Sequence, residues 1–420
     1  MASDSEKNQG QGDAIVSVVN IISSNGKQFK DLSGDEPNWN SIVLTESMGL
    51  LAGDPQFISG EIVILDAINL FNEMALHGDE VIELTFKTPQ KSEIGFIGKV
   101  YNIDLSQFET KRAITLKFCS VEKIVADQLK FNRAYREVLY SDMANDIFAP
   151  LNKISGKKLY AETTKNKGSL VINNKSPIDA LNTIKSTSKS EKYFGANYVF
   201  FEKAVDPTGP NPDGLFMFTS IESLVDPDEV EPVITYFYDA PPPGLRATES
   251  LVRMKNYKVV ALPNIVSNVQ RGMYAGTIIS NDLMKRKIGY KTFNYDESYT
   301  KYKSVNYSEV SGSGQGTTAL LNNPNYSNRP EGYTYFLPKH FGSFGTETNH
   351  ADELEDTMLV RNSQLQQINA IRLQIVVPGD SQRHVGEIVE VRIPAIEEKN
   401  DAGGGKLDVT FSGRYLVSKI

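Results

Sequence analysis

The feature that most constrains this chain is an internal repeat. Glu80-Val81-Ile82-Glu83-Leu84-Thr85-Phe86 aligns with Glu387-Ile388-Val389-Glu390-Val391-Arg392-Ile393. Each run alternates apolar and polar residues, the period of a half-buried strand, and each ends shortly afterwards in proline, Pro89 or Pro394. A helix-compatible segment precedes each copy. A polar loop and a matching turn follow: Phe96-Ile97-Gly98-Lys99 in the first copy, Phe411-Ser412-Gly413-Arg414 in the second. Any two amphipathic strands look alike, so the strand alone decides little. The shared order of helix, strand, proline, loop and Phe-x-Gly-basic favours duplication. One chain is therefore expected to carry two copies of a small β-barrel-like module, at its start and at its end. The first copy continues into a further strand over residues 113–120, whereas the second ends at Ile420. Either the second copy lacks that strand or the chain stops early there.

The segments between the copies complete a mainly β fold with α+β inserts. The polar residues 1–13 read as a disordered N-terminus. Residues 14–121 form the first module, with strands at 14–22, 42–45, 61–65, 81–88, 94–103 and 113–120. Its one helix is N-capped by Asp66, carries Ile68, Phe71 and Ala75 on one face and stops at Gly78. Residues 122–225 read as a mixed α/β domain. It holds a helix over 135–148 with Leu139, Met143 and Ile147 in phase, and a helix start at Ser176-Pro177-Ile178-Asp179. Strands at 198–202 and 215–221 flank a Pro/Gly/Asp-rich loop. Strands at 233–238 and 257–262, split by the Pro-rich turn 241–244, belong with a helix over 355–370 and strands at 371–377, 387–393 and within 407–420. Residues 273–350 read as a less regular stretch, rich in Tyr, Asn, Ser and Gly.

Little in the sequence points to catalysis. Cys119 is the only cysteine among 420 residues, which excludes an intrachain disulfide framework and a Cys-rich zinc site. The four histidines (His77, His340, His350 and His384) are dispersed. Gly95-Phe96-Ile97-Gly98-Lys99 is too short for a phosphate loop. Gly312-Ser313-Gly314-Gln315-Gly316 lacks a basic residue, and Gly342-Ser343-Phe344-Gly345 lacks nucleophile-elbow spacing. The stretch 206–214 has oxygen ligands that suit calcium, but its prolines favour a hairpin loop. Asp352, Glu353, Glu355 and Asp356 read as the acidic first turn of a helix rather than a carboxylate site. The expectation is no enzyme, no cofactor and no metal.

The formal charge of −8, with Lys and Arg scattered, argues against nucleic acid as the main ligand. No signal peptide opens the chain, and no apolar run approaches the roughly 20 residues of a membrane helix. A soluble protein made in a reducing cytoplasm, without stable membrane insertion, is expected. The functional lead is tyrosine. Tyr290, Tyr295, Tyr299, Tyr302, Tyr307, Tyr326, Tyr333 and Tyr335 crowd a region poor in aliphatic residues. Tyrosine offers rigid contact area with a polar tip, so Tyr295, Tyr299, Tyr302 and Tyr307 are candidates for a partner interface. Stacking on sugars and ordinary packing of a β-rich arm are the alternatives.

The run from Ile64-Leu65-Asp66-Ala67-Ile68-Asn69-Leu70-Phe71 through His77-Gly78-Asp79-Glu80 to Pro89 resembles the central baseplate hub proteins of contractile-tailed bacteriophages. These are related in fold to the N-terminal part of type VI secretion spike proteins. Ser176-Pro177-Ile178-Asp179-Ala180-Leu181, Tyr198-Val199-Phe200-Phe201-Glu202, Phe216-Met217-Phe218-Thr219-Ser220-Ile221 and Phe411-Ser412-Gly413-Arg414-Tyr415-Leu416-Val417 share it. The motifs are structural patterns without a catalytic signature. The resemblance implies that both modules are tail-tube-like, that the second is discontinuous, spanning 226–272 and 351–420 with residues 273–350 as a Tyr-rich inserted domain, and that the chain is a homotrimer. Six modules in a ring would then adapt a hexameric tail tube to a trimeric central spike. It implies tail-tube and baseplate proteins, the central spike and the tape-measure protein as partners. DNA would be met only in transit, through a channel that an acidic balance suits. The implied place is the virion tail baseplate, after assembly in the host cytoplasm. A carbohydrate-binding tail adhesin or fibre module is the rival reading, and a cell-wall hydrolase a third.

Overall fold

The computed structural model describes residues 14–26, 28–33, 39–51, 53–66, 69–88, 93–108, 111–204, 214–239, 251–283, 286–298, 301–303, 332–339, 350–395 and 407–420. The possible calcium loop, the turn at 241–244, both Gly-rich stretches at 312–316 and 342–345, Tyr326 and His340 lie outside these residues, apart from Gly214 at the end of that loop.

Seven strands form one antiparallel sheet that curls into a half-barrel. They are β1 (Ile15–Ile22), β2 (Phe29–Asp31), β3 (Trp39–Thr45), β4 (Ser59–Leu65), β5 (Val81–Lys87), β6 (Ile94–Phe108) and β7 (Lys111–Ser120), in the order β2-β1-β5-β6-β7-β4-β3. Alternation turns Ile62, Ile82, Leu84, Phe96, Leu116 and Phe118 to the inner face, where all are buried. The Phe-x-Gly-basic segment expected as a turn lies inside β6, paired with β5, and its glycine has a packing role there: a Cβ on Gly98 would sit 2.5 Å from the Phe96 ring. The expected helix after Asp66 shrinks to one turn, α1 (Leu70–Glu73), because Asn69 (φ 57°) and Ala75 (φ 47°) adopt left-handed conformations at either end. Asp66 still accepts the Leu70 amide at 2.5 Å, but from outside the cap position.

The helices α2 (Val121–Gln128), α3 (Tyr140–Ser155) and α4 (Pro177–Lys185) follow, with strands β8 (Phe131–Leu139), β9 (Lys158–Ala161), β10 (Lys167–Lys175), β11 (Tyr198–Lys203) and β12 (Leu215–Ser220), then α5 (Ile221–Val225). The helix expected over 135–148 begins later, since β8 pairs with β10 and carries Tyr135 into the strand. Met143 and Ile147 keep their inward phase. Pro177 and Ser176 act as expected: the Ser176 hydroxyl accepts the Asp179 amide at 3.1 Å. The core here is aromatic, with Phe200 and Phe216 stacked at 5.6 Å.

Around the second copy the strands are β13 (Ile234–Phe237), β14 (Asn256–Ala261), β18 (Arg372–Val376), β19 (Ile388–Arg392) and β20 (Gly413–Leu416). They form a β13-β19-β20 sheet and a β14-β18 pair over a shared core of Tyr236, Met254, Val389, Val391 and Ile393. The expectation of two antiparallel barrels is thus met by a half-barrel at the first copy. At the second copy there are smaller sheets, and β13 runs parallel to β19.

The aligned segments do take matching places. Both β5 and β19 are interior strands that pair antiparallel with the next copy segment, β6 or β20. Ile82 faces Gly98 in the first copy, whereas Val391, the counterpart of Leu84, faces Gly413 in the second. The register has slipped by two residues, a step that keeps every side chain on its face. Each copy also begins with His-x-x-Glu. Glu80 accepts the amides of His77, Gly78 and Asp79 at 2.6, 3.0 and 3.1 Å; Glu387 accepts the His384 amide at 3.3 Å and Arg383 Nη1 at 3.0 Å. Glu83 and Glu390 each accept from a polar side chain on the flanking strand, Asn20 and Thr235, both at 2.9 Å.

Two buried junctions join the cores. The Glu46 carboxylate accepts the amides of Ala204 (2.9 Å) and Val385 (3.2 Å) and lies 3.3 Å from His384 Nδ1. Beside it, Glu46 and Ile420 exchange two backbone hydrogen bonds of 3.0 Å, and Met48 packs with Phe201, Val225, Val385 and Ile388. At the second junction, Lys157 Nζ donates to Glu202 (2.6 Å) and Glu122 (2.9 Å), while Glu202 also accepts from Ser120 Oγ (2.5 Å) and the Ile58 amide (3.0 Å). Burial raises the Glu202 pKa against the pull of Lys157. For Lys157 burial works the other way, but the two carboxylates outweigh it and hold the ammonium charged.

Replacing Lys157 with alanine strands two carboxylates in the interior and should cost about 3–5 kcal/mol near neutral pH. Without the ammonium, burial of the Glu202 carboxylate is no longer opposed by Lys157 and holds its folded-state pKa further above the unfolded value. The loss should therefore be largest at pH 7–8 and shrink as acid protonates Glu202, which urea unfolding at pH 5 and pH 8 would measure.

Candidate assembly interface

The Tyr-rich insert is more regular than its composition implies. After α6 (Ile265–Gln270), strands β15 (Ala275–Asp282), β16 (Lys287–Asn294) and β17 (Thr334–Lys339) form a sheet in the order β16-β15-β17. The helical turn α7 (Tyr295–Ser298) follows β16, and the long helix α8 (His350–Ile368) lies against the sheet. The insert lacks aliphatic residues for a core of its own and borrows them: Ile278 and Phe293 pack with Leu359 of α8. Charges bolt the helix on. Asp356 pairs with Lys291 and lies 3.4 Å from Lys189, and Glu355 accepts Ser280 Oγ at 3.0 Å. The acidic start of this helix thus makes cross-element pairs. Arg361, farther along, donates to the Ala196 and Tyr198 carbonyls at 3.0 and 3.1 Å, and burial brings its pKa down to about 10.

The opposite face of the sheet has no such cover among the described residues. Ile279 stands between Tyr290 on β16 and Phe336 on β17 in register, so the three side chains share one face. Tyr290 is 72 % exposed, Phe336 70 % and the adjacent Ile288 60 %. Arg286 and Lys287 flank them at the hairpin end. A row of large apolar side chains on a sheet face, rimmed by cations, has the chemistry of a protein-binding surface.

The sequence candidates fall elsewhere. Tyr295 is buried and packs edge-on against Tyr274 at 5.8 Å. Tyr302 is half-buried against Phe194 at 5.5 Å, and burial raises its phenol to about 12. Tyr299 and Tyr307 lie outside the described residues. The structure does not bring Tyr295 and Tyr302 to the exposed row. One sequence signal for that row was readable: Ile278 and Ile279 are adjacent in a strand, so both faces of the sheet carry an apolar residue.

Other chemistry is sparse. A cleft of about 520 Å³ is lined by Tyr160, Glu162, Lys192, Tyr193 and Glu229 among others. Its Glu162 is occupied by Ser190 Oγ (2.6 Å), Thr219 Oγ1 (2.8 Å) and the Ser220 amide (2.6 Å), and Glu229 by Lys192. Among the described residues no three His, Cys, Asp or Glu side chains group to hold a metal ion, and no helix is long and apolar enough to cross a membrane. Burial pushes the Cys119 thiol up to about 11, away from the reactive thiolate.

Two solved structures share this architecture. The tail protein from Neisseria meningitidis MC58 matches with a TM-score of 0.50 and 11 % identity, covering 96 % of this chain and 90 % of that one. The 43 kDa tail protein of prophage MuSo2 from Shewanella oneidensis matches at 0.52 and 9 %, covering 96 % and 93 %. No protein-family model matches the sequence, and no curated protein does. At these identities the likeness is one of fold, and this chain has the fold of those tail proteins.

The burial pattern separates two tyrosines by their effect on stability. Tyr295→Ala should cost about 3 kcal/mol or more as a core aromatic. Tyr290→Ala should stay within about 0.5 kcal/mol, as a surface change does. Denaturant unfolding of both variants would show the difference.

Proposed function

We propose that this chain is the structural hub of a contractile-tail baseplate: a homotrimer that adapts the hexameric tail tube to the trimeric central spike and catalyses no reaction. The observation that carries the reading is the duplicated strand with its His-x-x-Glu start and cross-strand glutamate, present once in each half of the chain. A fold shared with two tail proteins along 96 % of the chain supports it.

In this reading the units are residues 14–121, 122–225, 226–272 with 351–420, and 273–350. Two tube-like modules per chain, closed head to tail by a threefold axis, present six similar units to a sixfold tube. The exposed Tyr290 and Phe336, with the half-buried Ile279 between them and the other insert tyrosines, meet the spike or a neighbouring baseplate protein. The tape-measure protein and DNA are met only in the channel, and the protein resides in the virion tail. A carbohydrate-binding adhesin is the second reading. Phe336 and Tyr290, exposed across one strand, would then be its stacking platform.

Light scattering of the purified chain, alone and with the neighbouring spike protein, tests the proposal. A trimer, or a monomer that becomes a three-to-three complex with spike, is expected. A strict monomer indifferent to spike contradicts the hub and moves the adhesin ahead, with glycan binding lost in Tyr290→Ala as its own test.

A further inference from the structure

Residues 301–303, on the way out of the insert sheet, grip the 193–228 region through every residue. The Lys303 amide donates to Glu222 Oε1 at 3.0 Å. The Lys303 ammonium reaches Asp228 at 2.5 Å and Asp226 at 3.2 Å. The Tyr302 ring packs on Phe194 at 5.5 Å, and Lys301 Nζ sits 5.4 Å from the centre of the same ring. Glu222 is the pivot. It is 3 % exposed, and its other oxygen accepts the Gly195 amide at 2.5 Å. A Cβ on Gly195 would collide with that carboxylate, so the approach depends on glycine. No cation pairs with the Glu222 carboxylate among the described residues: Lys303 offers it an amide and spends its ammonium on the two aspartates.

That arrangement couples docking to a proton. With 301–303 seated, the Glu222 charge has lost its hydration and holds two amides instead. The groups facing it are the like charges of Glu162 and Asp226, the Tyr302 phenol, Lys303, and, beside Gly195, the neutral Gln364 amide of α8. A neutral carboxyl still offers its carbonyl oxygen to one amide and its hydroxyl oxygen to the other. We propose that residues 301–303 are a latch that closes over Glu222 with uptake of a proton and opens when the carboxylate ionises, so that this stretch docks in mildly acid solution and releases above neutrality.

Burial, partly offset by the two amides, raises the closed-state pKa of Glu222 to about 7. Once the latch opens, water reaches the group and its pKa falls toward the ordinary carboxylate range. The closed state therefore binds the proton more tightly. Its advantage is full below that ordinary range and is lost as pH rises through about 7. Asp226 and Asp228 add a salt-sensitive grip that does not depend on this proton.

Hydrogen exchange of the full chain, read at the Lys303 amide at pH 5.5 and pH 8.0 and corrected for intrinsic exchange, tests the latch. This needs no partner and so is independent of the hub reading. Protection should fall about tenfold or more between the two values in the native protein. Glu222→Gln, neutral at both, should remove that dependence while exchange in the half-barrel stays unchanged. Asp228→Asn should lower protection at both pH values without altering the slope. Protection independent of pH in the native protein overturns the proposal, as does an unchanged slope in Glu222→Gln. If that variant does not fold, the native profile still decides.

Discussion

The rest of the structure depends on one carboxylate. Glu46, nearly buried at the end of the half-barrel's edge strand, takes hydrogen bonds from Ala204 and Val385 and faces His384. These partners are far apart in sequence: one follows β11, and the others precede β19. Backbone bonds between Glu46 and Ile420 extend the same edge with the last residues of the chain. An unpaired strand edge is a site for unwanted pairing. Here residues 46–48 are used to tie the last residues of the chain to the first sheet. The apolar cluster of Met48, Phe201 and Val385 seals the spot, so the two repeat copies and the segment between them meet at one place.

Three largely buried charged side chains elsewhere in the chain, Lys157, Arg361 and Glu222, are met in three different ways. Lys157 lies between Glu122 and Glu202 and links α2 and β11 through a single ammonium, while Ser120 at the end of β7 donates to the same Glu202. Arg361 has carbonyl oxygens as its partners, which suits a guanidinium whose several donors can be satisfied without a counter-charge. Glu222 holds two amides and, among the described residues, no cation, and burial raises its pKa to about 7. A mild net charge of −8 says nothing of these differences, because they arise from where each side chain is buried.

Much of the fold was legible in sequence, and the failures have physical causes. The alternating runs at Ile82, Leu84 and at Ile114, Leu116, Phe118 fall on the strands expected of them, because one face of each is buried. The Ser-Pro start of α4 was readable because its capping is local. The helix expected from residue 135 was not correctly bounded: β8 forms only by pairing with β10, a partner over 30 residues away whose pull periodicity cannot report. The insert looked irregular because part of its core, including the buried Leu359, belongs to α8. Tyrosine content pointed to the insert, but not to which of its aromatic side chains stand exposed. Tyr295 is spent on packing, while the exposed row combines Tyr290 with Phe336 and Ile279, neighbours only through strand pairing.

The two repeat copies are not equal, and that bears on the proposed symmetry. The first sits in seven strands; the second sits in three, with a parallel neighbour and a two-residue register slip. What they share is the interior strand, its glutamate cap and its following hairpin partner, which is the part a ring of alternating units would need to match. Electron microscopy of the assembled oligomer, viewed down its symmetry axis, tests this most directly. The account predicts threefold averages with six lobes of similar size alternating around a channel. A ring of any other order, or three lobes with no second set between them, would contradict it.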